Sequence, residues 1–179
     1  NETVDHVVMN INSLYPGMDD FEKQVTVSNQ SDVKAVFTYS IVKVVLFGET
    51  FLVDDVSLTS DQLLEHLNNS FPFQITFNQT KSELDSGGDS AYFAVYAVWP
   101  FEHTESYFLV NSYFNYDESI QYYQLVNGEY ILDETVSSDN FSSKIESGIY
   151  VESDDADTYW GSKAADYKIS NPDKSCLEL

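Results

Sequence analysis

The sequence predicts an all-β fold, and three observations carry that reading. The apolar residues lean towards β structure, with 13 Tyr and 12 Phe against two Met, and β-branched and aromatic side chains suit a pleated, half-buried surface. Several segments alternate apolar and polar residues with a period of two. Turn signals recur at short intervals between them. Many short strands separated by turns, with two or three short helices in the connections, describe an antiparallel β-sandwich of jelly-roll or Ig-like type. A chain of 179 residues with 42% hydrophobic content is read as a single domain over residues 1–179.

The elements follow in order. Val4 to Ile11 reads as the first strand. Leu14-Tyr15-Pro16-Gly17 places Pro and Gly for the two central positions of a type II turn. In Phe21 to Ser28, Phe21, Val25 and Val27 share one face while Glu22, Gln24, Thr26 and Ser28 share the other. That is a strand with one wet face. Asn29-Gln30-Ser31-Asp32 is a turn cluster, and Val33 to Phe47 a long, Val-rich strand. Gly48-Glu49 looks like a hairpin turn into Thr50 to Val56. Thr59 to Asn69 changes period: Thr59 or Ser60 caps a helix carrying Leu63, Leu64 and Leu67 at helical spacing.

Phe71 to Phe77 returns to strand, and Asp85-Ser86-Gly87-Gly88-Asp89 is a turn. Ala91 to Phe101 is apolar on both faces, as expected of a central strand covered on both sides or of one presenting a face to a partner. Tyr107 to Phe114 and Ile120 to Val126 resemble a strand pair. Asn127-Gly128 is a strong hairpin signal between Gln121–Val126 and Glu129–Leu132. Ser137 to Ser147 reads as a short helix stopped by Gly148, Ile149 to Glu152 as a short strand, and Glu152 to Asp157 as an acidic loop. Gly161 to Ile169 is a helix closed by Asn171-Pro172, and Ser175 to Leu179 starts a last strand.

Charge excludes several functions. Thirty acidic residues face eight lysines and no arginine, a net charge of -22. Nucleic-acid binding requires cations that neutralise phosphates, and an anionic membrane surface requires the same. Acidity of this order keeps a chain soluble through self-repulsion and also supplies oxygens for Ca²⁺. No apolar run is long enough to span a membrane as a helix. The lone Cys176 excludes a disulfide framework within the chain and reads as a small apolar core residue. A start at Asn1 without Met reads as a trimmed N-terminus, hence export to an extracellular or surface location. Five N-x-S/T sequons lie at Asn1, Asn29, Asn68, Asn78 and Asn140.

Catalytic signatures are absent. There is no G-x-S-x-G elbow. Gly87-Gly88 is too short for a phosphate loop, and any carboxylate pair chosen from thirty is arbitrary. The candidate ligand residues are acidic clusters: Asp19 and Asp20, Asp54 and Asp55, and Asp154, Asp155 and Asp157 beside Glu152. Asp19, Asp20, Asp154, Asp155 and Asp157 are the set assigned to Ca²⁺, set against the plainer reading of solvated loops; none fits EF-hand spacing. No other cofactor is expected. Tyr159 and Trp160 read as core or interface packing, with a sugar platform as the alternative.

The segment from Val7 to Val44, with V-V-M-N-I-N-S-L-Y-P-G-M and then F-E-K-Q-V-T-V-S-N-Q-S-D-V-K-A-V-F-T-Y-S-I, resembles the start of the TasA/camelysin family of secreted bacterial matrix and surface-fibre proteins. The stretch from Thr158-Tyr159-Trp160-Gly161 through Asn171-Pro172 to Leu177-Glu178-Leu179 is similar to the ending of some members. The resemblance implies a jelly-roll-like sandwich and subunits that assemble into oligomers or fibres by strand pairing, in which main-chain hydrogen bonds supply the affinity. Typical members carry a strand before the segment matching Val7 and a longer last strand, so both ends of this chain look cut. Camelysin-like members have been described as metallopeptidases. That chemistry needs a zinc site with an open position, yet His6, His66 and His103 are widely separated and no H-E-x-x-H occurs. The three read as surface histidines. The alternative to a fibre subunit is an extracellular carbohydrate- or protein-binding module.

Overall fold

In the computed structural model, residues 7–52 and 59–179 are described. They are β-rich, with antiparallel pairing throughout and three helices. The strands are β1 (Asn10–Ile11), β2 (Phe21–Asn29), β3 (Ala35–Val36), β4 (Lys43–Leu46), β5 (Glu49–Leu52), β6 (Gln74–Gln79), β7 (Glu83–Leu84), β8 (Asp89–Val98), β9 (Tyr107–Leu109), β10 (Tyr123–Val126), β11 (Glu129–Leu132), β12 (Tyr150–Glu152) and β13 (Leu177–Glu178). The helices are α1 (Ser60–Ser70), α2 (Phe141–Ser147) and α3 (Ser153–Ser170). The sheets run β1-β13-β4-β5, β11-β10-β12-β9 and β2-β8-β6, with a separate β3-β7 ribbon. Asn1, His6, Asp54 and Asp55 lie outside the described residues, as do parts of the strands expected over Val4 to Ile11 and Thr50 to Val56.

Local signals act as read in several places. Tyr15 O accepts from Met18 N–H at 3.2 Å around Pro16 and Gly17, the latter at φ +75°. α1 opens on a capping box: Thr59 Oγ1 accepts from Gln62 N–H, and Gln62 Oε1 accepts from Thr59 N–H, so two backbone donors at the helix start are satisfied reciprocally. Leu63 and Leu67 then face the core. β8 is central, between β2 and β6, with register Val25↔Phe93 and Phe77↔Val95. One of its apolar faces, with Phe93, Val95 and Ala97, turns to the core, where Tyr39 stacks on Phe77 and Phe93 at 5.3 and 5.4 Å. The other, with Tyr92 and Tyr96, is half-exposed among the exposed Glu22, Gln24, Thr76 and Asn78, so the strand is central in its sheet but not covered on both sides as expected.

Three expectations are corrected. The strand expected over Val33 to Phe47 is two strands, β3 and β4, with irregular chain between them. The inward positions are odd-numbered from Ala35 to Ile41 and even-numbered at Val44 and Leu46. The change of phase accompanies the passage of the chain from the β3-β7 ribbon to the sheet of β4. At the crossing, Ile41 N–H donates to Ser60 Oγ at 2.9 Å, so the helix start satisfies the backbone there. The expected pairing of Tyr107–Phe114 with Ile120–Val126 does not form, because β12 lies between β9 and β10. Ile149 and Val151 are fully buried and take the central place. The acidic run at Glu152–Asp157 is the start of α3, not a loop, and α3 is 18 residues long, not a short helix from Gly161. Asp154 and Asp155 sit in its first turn, where the helix dipole favours negative charge.

One core cluster gathers residues from the three larger sheets and all three helices, including Val44, Leu177, Val95, Val151, Leu67, Phe141 and Trp160. Cys176 is fully buried within it, as expected. The β4–β5 hairpin turns at Phe47 (φ +50°) and Gly48 (φ +77°), one residue earlier than expected. Phe47 accepts the left-handed conformation because its N–H donates to Cys176 O and its ring packs on Tyr167. A Cβ at Gly48 would lie 3.3 Å from the Tyr167 ring.

Two polar clusters tie loops to the sheets. Asn29 is buried, and its Nδ2 donates to the carbonyls of Val33, Leu84 and Asp85 while its Oδ1 accepts from Ser31. Asp133, just past β11, accepts from Thr135, Lys144 and Gln124. The Thr135 hydroxyl and the Lys144 ammonium hold its carboxyl well below the usual range. The Asn29→Asp variant keeps the acceptor but loses the donors to three carbonyls, and should unfold with about 3 kcal/mol less stability in urea titrations. Asp133→Ala leaves the Lys144 ammonium without its carboxylate and should cost about 3 kcal/mol. Since folding lowers the Asp133 pKa, its contribution is full above the unfolded value of about 3.9 and is lost as pH falls below it. Wild type and variant should therefore converge in acid denaturation.

Candidate functional site

The most unusual surface belongs to the sheet β11-β10-β12-β9. Asn127 (φ +51°) and Gly128 (φ +81°) form the two-residue turn expected from the sequence, whose twist matches that of the flanking strands. The register is Val126↔Glu129, Leu125↔Tyr130, Gln124↔Ile131 and Tyr123↔Leu132. Directly opposed residues share a face. One face therefore carries Leu125, Tyr130, Tyr123 and Leu132, continued by Tyr150, Leu109, Tyr107 and Glu152 across β12 and β9, the Glu152 carboxylate accepting from the Tyr123 hydroxyl at 3.1 Å. The tyrosines touch: Tyr107 and Tyr130 stack at 3.9 Å, Tyr107 meets Tyr123 edge-on at 5.2 Å, and Tyr130 meets Tyr150 at 5.0 Å. Leu109, Leu125 and Leu132 flank this cluster and are exposed. The opposite face turns Phe108 and Val151 to the core.

β11 is also an edge strand among the described residues. Asp133 N–H donates to Tyr122 O at 2.8 Å, so odd-numbered residues of β11 direct their backbone groups towards β10. The N–H and C=O of Tyr130 and Leu132 then point outward, a template for another strand. All four residues of β11 are exposed, Ile131 by 50%. Edges are normally blunted by charge, proline or a bulge. The edge strand β2 follows that rule with Glu22, Lys23 and Gln24. β11 pairs continuously without a bulge, and Glu129 is its single charge.

A second feature is an acidic cleft of about 300 Å³ along the outer side of α3, lined by Asp117, Ser119, Asp155, Thr158, Lys163 and Asp166 among others. Ser119 donates to Asp117 from both its hydroxyl and its N–H, which lowers the Asp117 pKa. Burial first, then the charges of Glu152, Asp154 and Asp117, raise that of Asp155. Tyr159 forms one wall, stacked on Phe114 at 3.8 Å with Lys163 Nζ 5.3 Å from its ring centre.

The residues assigned to Ca²⁺ are distributed over both sides of the helix. Asp19 and Asp20 are exposed between β1 and β2, Asp154 is exposed, and Asp155 lines the cleft. Asp157 is buried on the inner side, accepting from Trp99 Nε1 at 2.8 Å and lying 2.8 and 2.9 Å from His103 Nε2. Among the described residues, no three His, Cys, Asp or Glu side chains are grouped to hold a metal ion. His103 is thus an internal partner of Asp157, not the surface histidine expected. His66 is exposed beside the Tyr113 hydroxyl. Trp160 is buried against Phe71 at 4.7 Å, the packing role expected for it. Of the sequon residues described, Asn29, Asn68 and Asn140 use their amides to hold backbone carbonyls, while Asn78 is exposed.

The chain matches no family model, no curated protein and no solved structure in comparisons with known proteins. Sequence reading missed the edge and the cleft. The available signal for the edge was Tyr130-Ile131-Leu132, apolar at both parities directly after an Asn-Gly turn. For the cleft there was none, because Asp117, Asp155 and Asp166 meet only once α3 is placed. The raised Asp155 pKa means that the fold penalises the ionised form, a penalty present at neutral pH and relieved as pH falls through the folded pKa. Asp155→Asn should therefore raise stability at neutral pH by about 0.5 kcal/mol, and thermal melts should show the gain vanishing in acid.

Proposed function

We propose that this chain is a secreted structural subunit of extracellular matrix or surface fibres, of the kind its TasA/camelysin resemblance implies, assembling by strand pairing between copies. The observation that carries the reading is β11: a largely apolar edge strand, exposed along its whole length, with two outward sets of backbone donors and acceptors. Strand addition draws its affinity from such groups and its specificity from alternate side chains. The reading requires no catalytic group and places no metal at its centre. It includes the finer form of the fold, a jelly-roll or Ig-like sandwich, supported by the antiparallel pairing and by the core shared among the larger sheets.

A second reading, an extracellular carbohydrate-binding module, is favoured by the tyrosine cluster, since aromatic rings present an apolar body with a polar tip. Glycan binding abolished by Tyr130→Ala, with the protein monomeric throughout, would favour it over assembly.

The deciding measurement is mass against concentration for the full-length chain, by sedimentation and light scattering. Assembly predicts a mass that grows with protein concentration, and more steeply at high salt, which screens the repulsion between chains of net charge -22. A strictly monomeric protein at every concentration, in low and high salt, with and without Ca²⁺, overturns the proposal.

A further inference from the structure

The open edge of β11 is also the place where two copies fit each other. Resting on the assembly reading above, we infer that β11 pairs with β11 of a second copy, antiparallel about a two-fold axis through Ile131. In this register Tyr130 of each chain lies opposite Leu132 of the other, and Ile131 opposite Ile131.

Hydrogen bonding selects the register. The outward groups belong to Tyr130 and Leu132, so these two must exchange N–H···O bonds, and Ile131 falls at a non-hydrogen-bonded position. Side chains agree with it. On one face Tyr130 packs on Leu132 of the second copy and extends the tyrosine–leucine surface across the axis. On the other, two half-exposed isoleucines meet.

The sparse charge of this edge suits a second copy, an equally acidic chain, as the occupant. Two chains of net charge -22 repel, and approach is least costly where charge is sparse. From Ile120 to Leu132 the single charged residue is Glu129. The register sets Glu129 opposite Asp133 of the second copy. That carboxylate is bound by Lys144 Nζ at 2.9 Å, which offsets part of the repulsion between the two opposed carboxylates, and the two-fold axis makes the contact twice. An extended polypeptide satisfies the edge's backbone groups; a glycan or lipid offers no matching ladder. The contact is isologous and closes on itself, so it makes a two-fold pair, which a different contact must join into anything longer.

The test is cross-linking combined with sedimentation of the full-length chain. Cβ atoms at a non-hydrogen-bonded antiparallel pair lie about 5 Å apart, within reach of a disulfide after small adjustment. Ile131→Cys should therefore give a disulfide-linked dimer as the main oxidised species. Leu125→Cys, equally exposed but one strand further in, sits about 16 Å from its counterpart and should stay monomeric on denaturing gels. Wild type should not cross-link, since Cys176 is buried. Ile131→Lys places like charges directly opposite and should weaken self-association at least about tenfold, with its circular dichroism unchanged.

If wild type assembles while Ile131→Cys does not cross-link and Ile131→Lys has no effect, the β11 pairing is wrong and the assembly reading survives. Equal cross-linking of both cysteine variants, as random collision gives, also overturns the register. A wild type monomeric at all concentrations overturns both proposals.

Discussion

The inner side of α3 holds the larger sheets to one another. Ala156, Trp160 and Ala164 lie along it, spaced at one helical turn, and are buried. Trp160 packs between Phe71 and Phe114. Asp157 receives the indole N–H of Trp99, just past the end of β8. Tyr167 packs on the β4–β5 turn, and Ser153 N–H bonds back to Ser106 O beside β9. A buried carboxylate is costly unless paired and hydrogen-bonded. Asp157 meets that condition only when β8, the segment carrying His103 and α3 are together, so its satisfaction marks the assembled core.

This arrangement divides the acidity of the chain into two kinds. Asp157 and Asp133 have assigned partners and act as ties. Asp154 and Asp155 sit at the helix start, where the dipole offsets part of their mutual repulsion. Most of the remaining carboxylates are solvated and contribute repulsion between molecules rather than cohesion within one. Against that background, the near-neutral hairpin of β10 and β11 is the local exception. It is attached firmly, through Asp133 and Lys144 to α2 and through the tyrosine contacts to β9 and β12. Its outer edge is therefore exposed but held in strand form, a combination suited to pairing with another strand at little additional ordering cost.

The two surface features differ in how far chemistry alone explains them. The tyrosine cluster packs largely on itself, edge-on and stacked, and needs no ligand to be stable. In the acidic cleft Asp155 works against stability, since burial and neighbouring charges oppose its ionisation, while Asp117 is held by Ser119.

Features set by backbone dihedrals and near neighbours were determined by the sequence itself. The Thr59–Gln62 capping box, the Pro16-Gly17 turn, the Asn127-Gly128 hairpin and the period-two strand from Phe21 all depend on residues within a few positions of each other. The two apolar faces of β8 likewise announced a central strand. Tertiary structure alone decided the break between β3 and β4, the insertion of β12 between β9 and β10, and the inward role of Asp157. Each depends on which distant segment competes for burial. Glu152–Asp157 shows this most clearly. Its composition is that of a solvated loop, and it becomes helix because Ala156 and Trp160 behind it bury against the sheets, while Trp99 and His103 supply the partners that Asp157 requires.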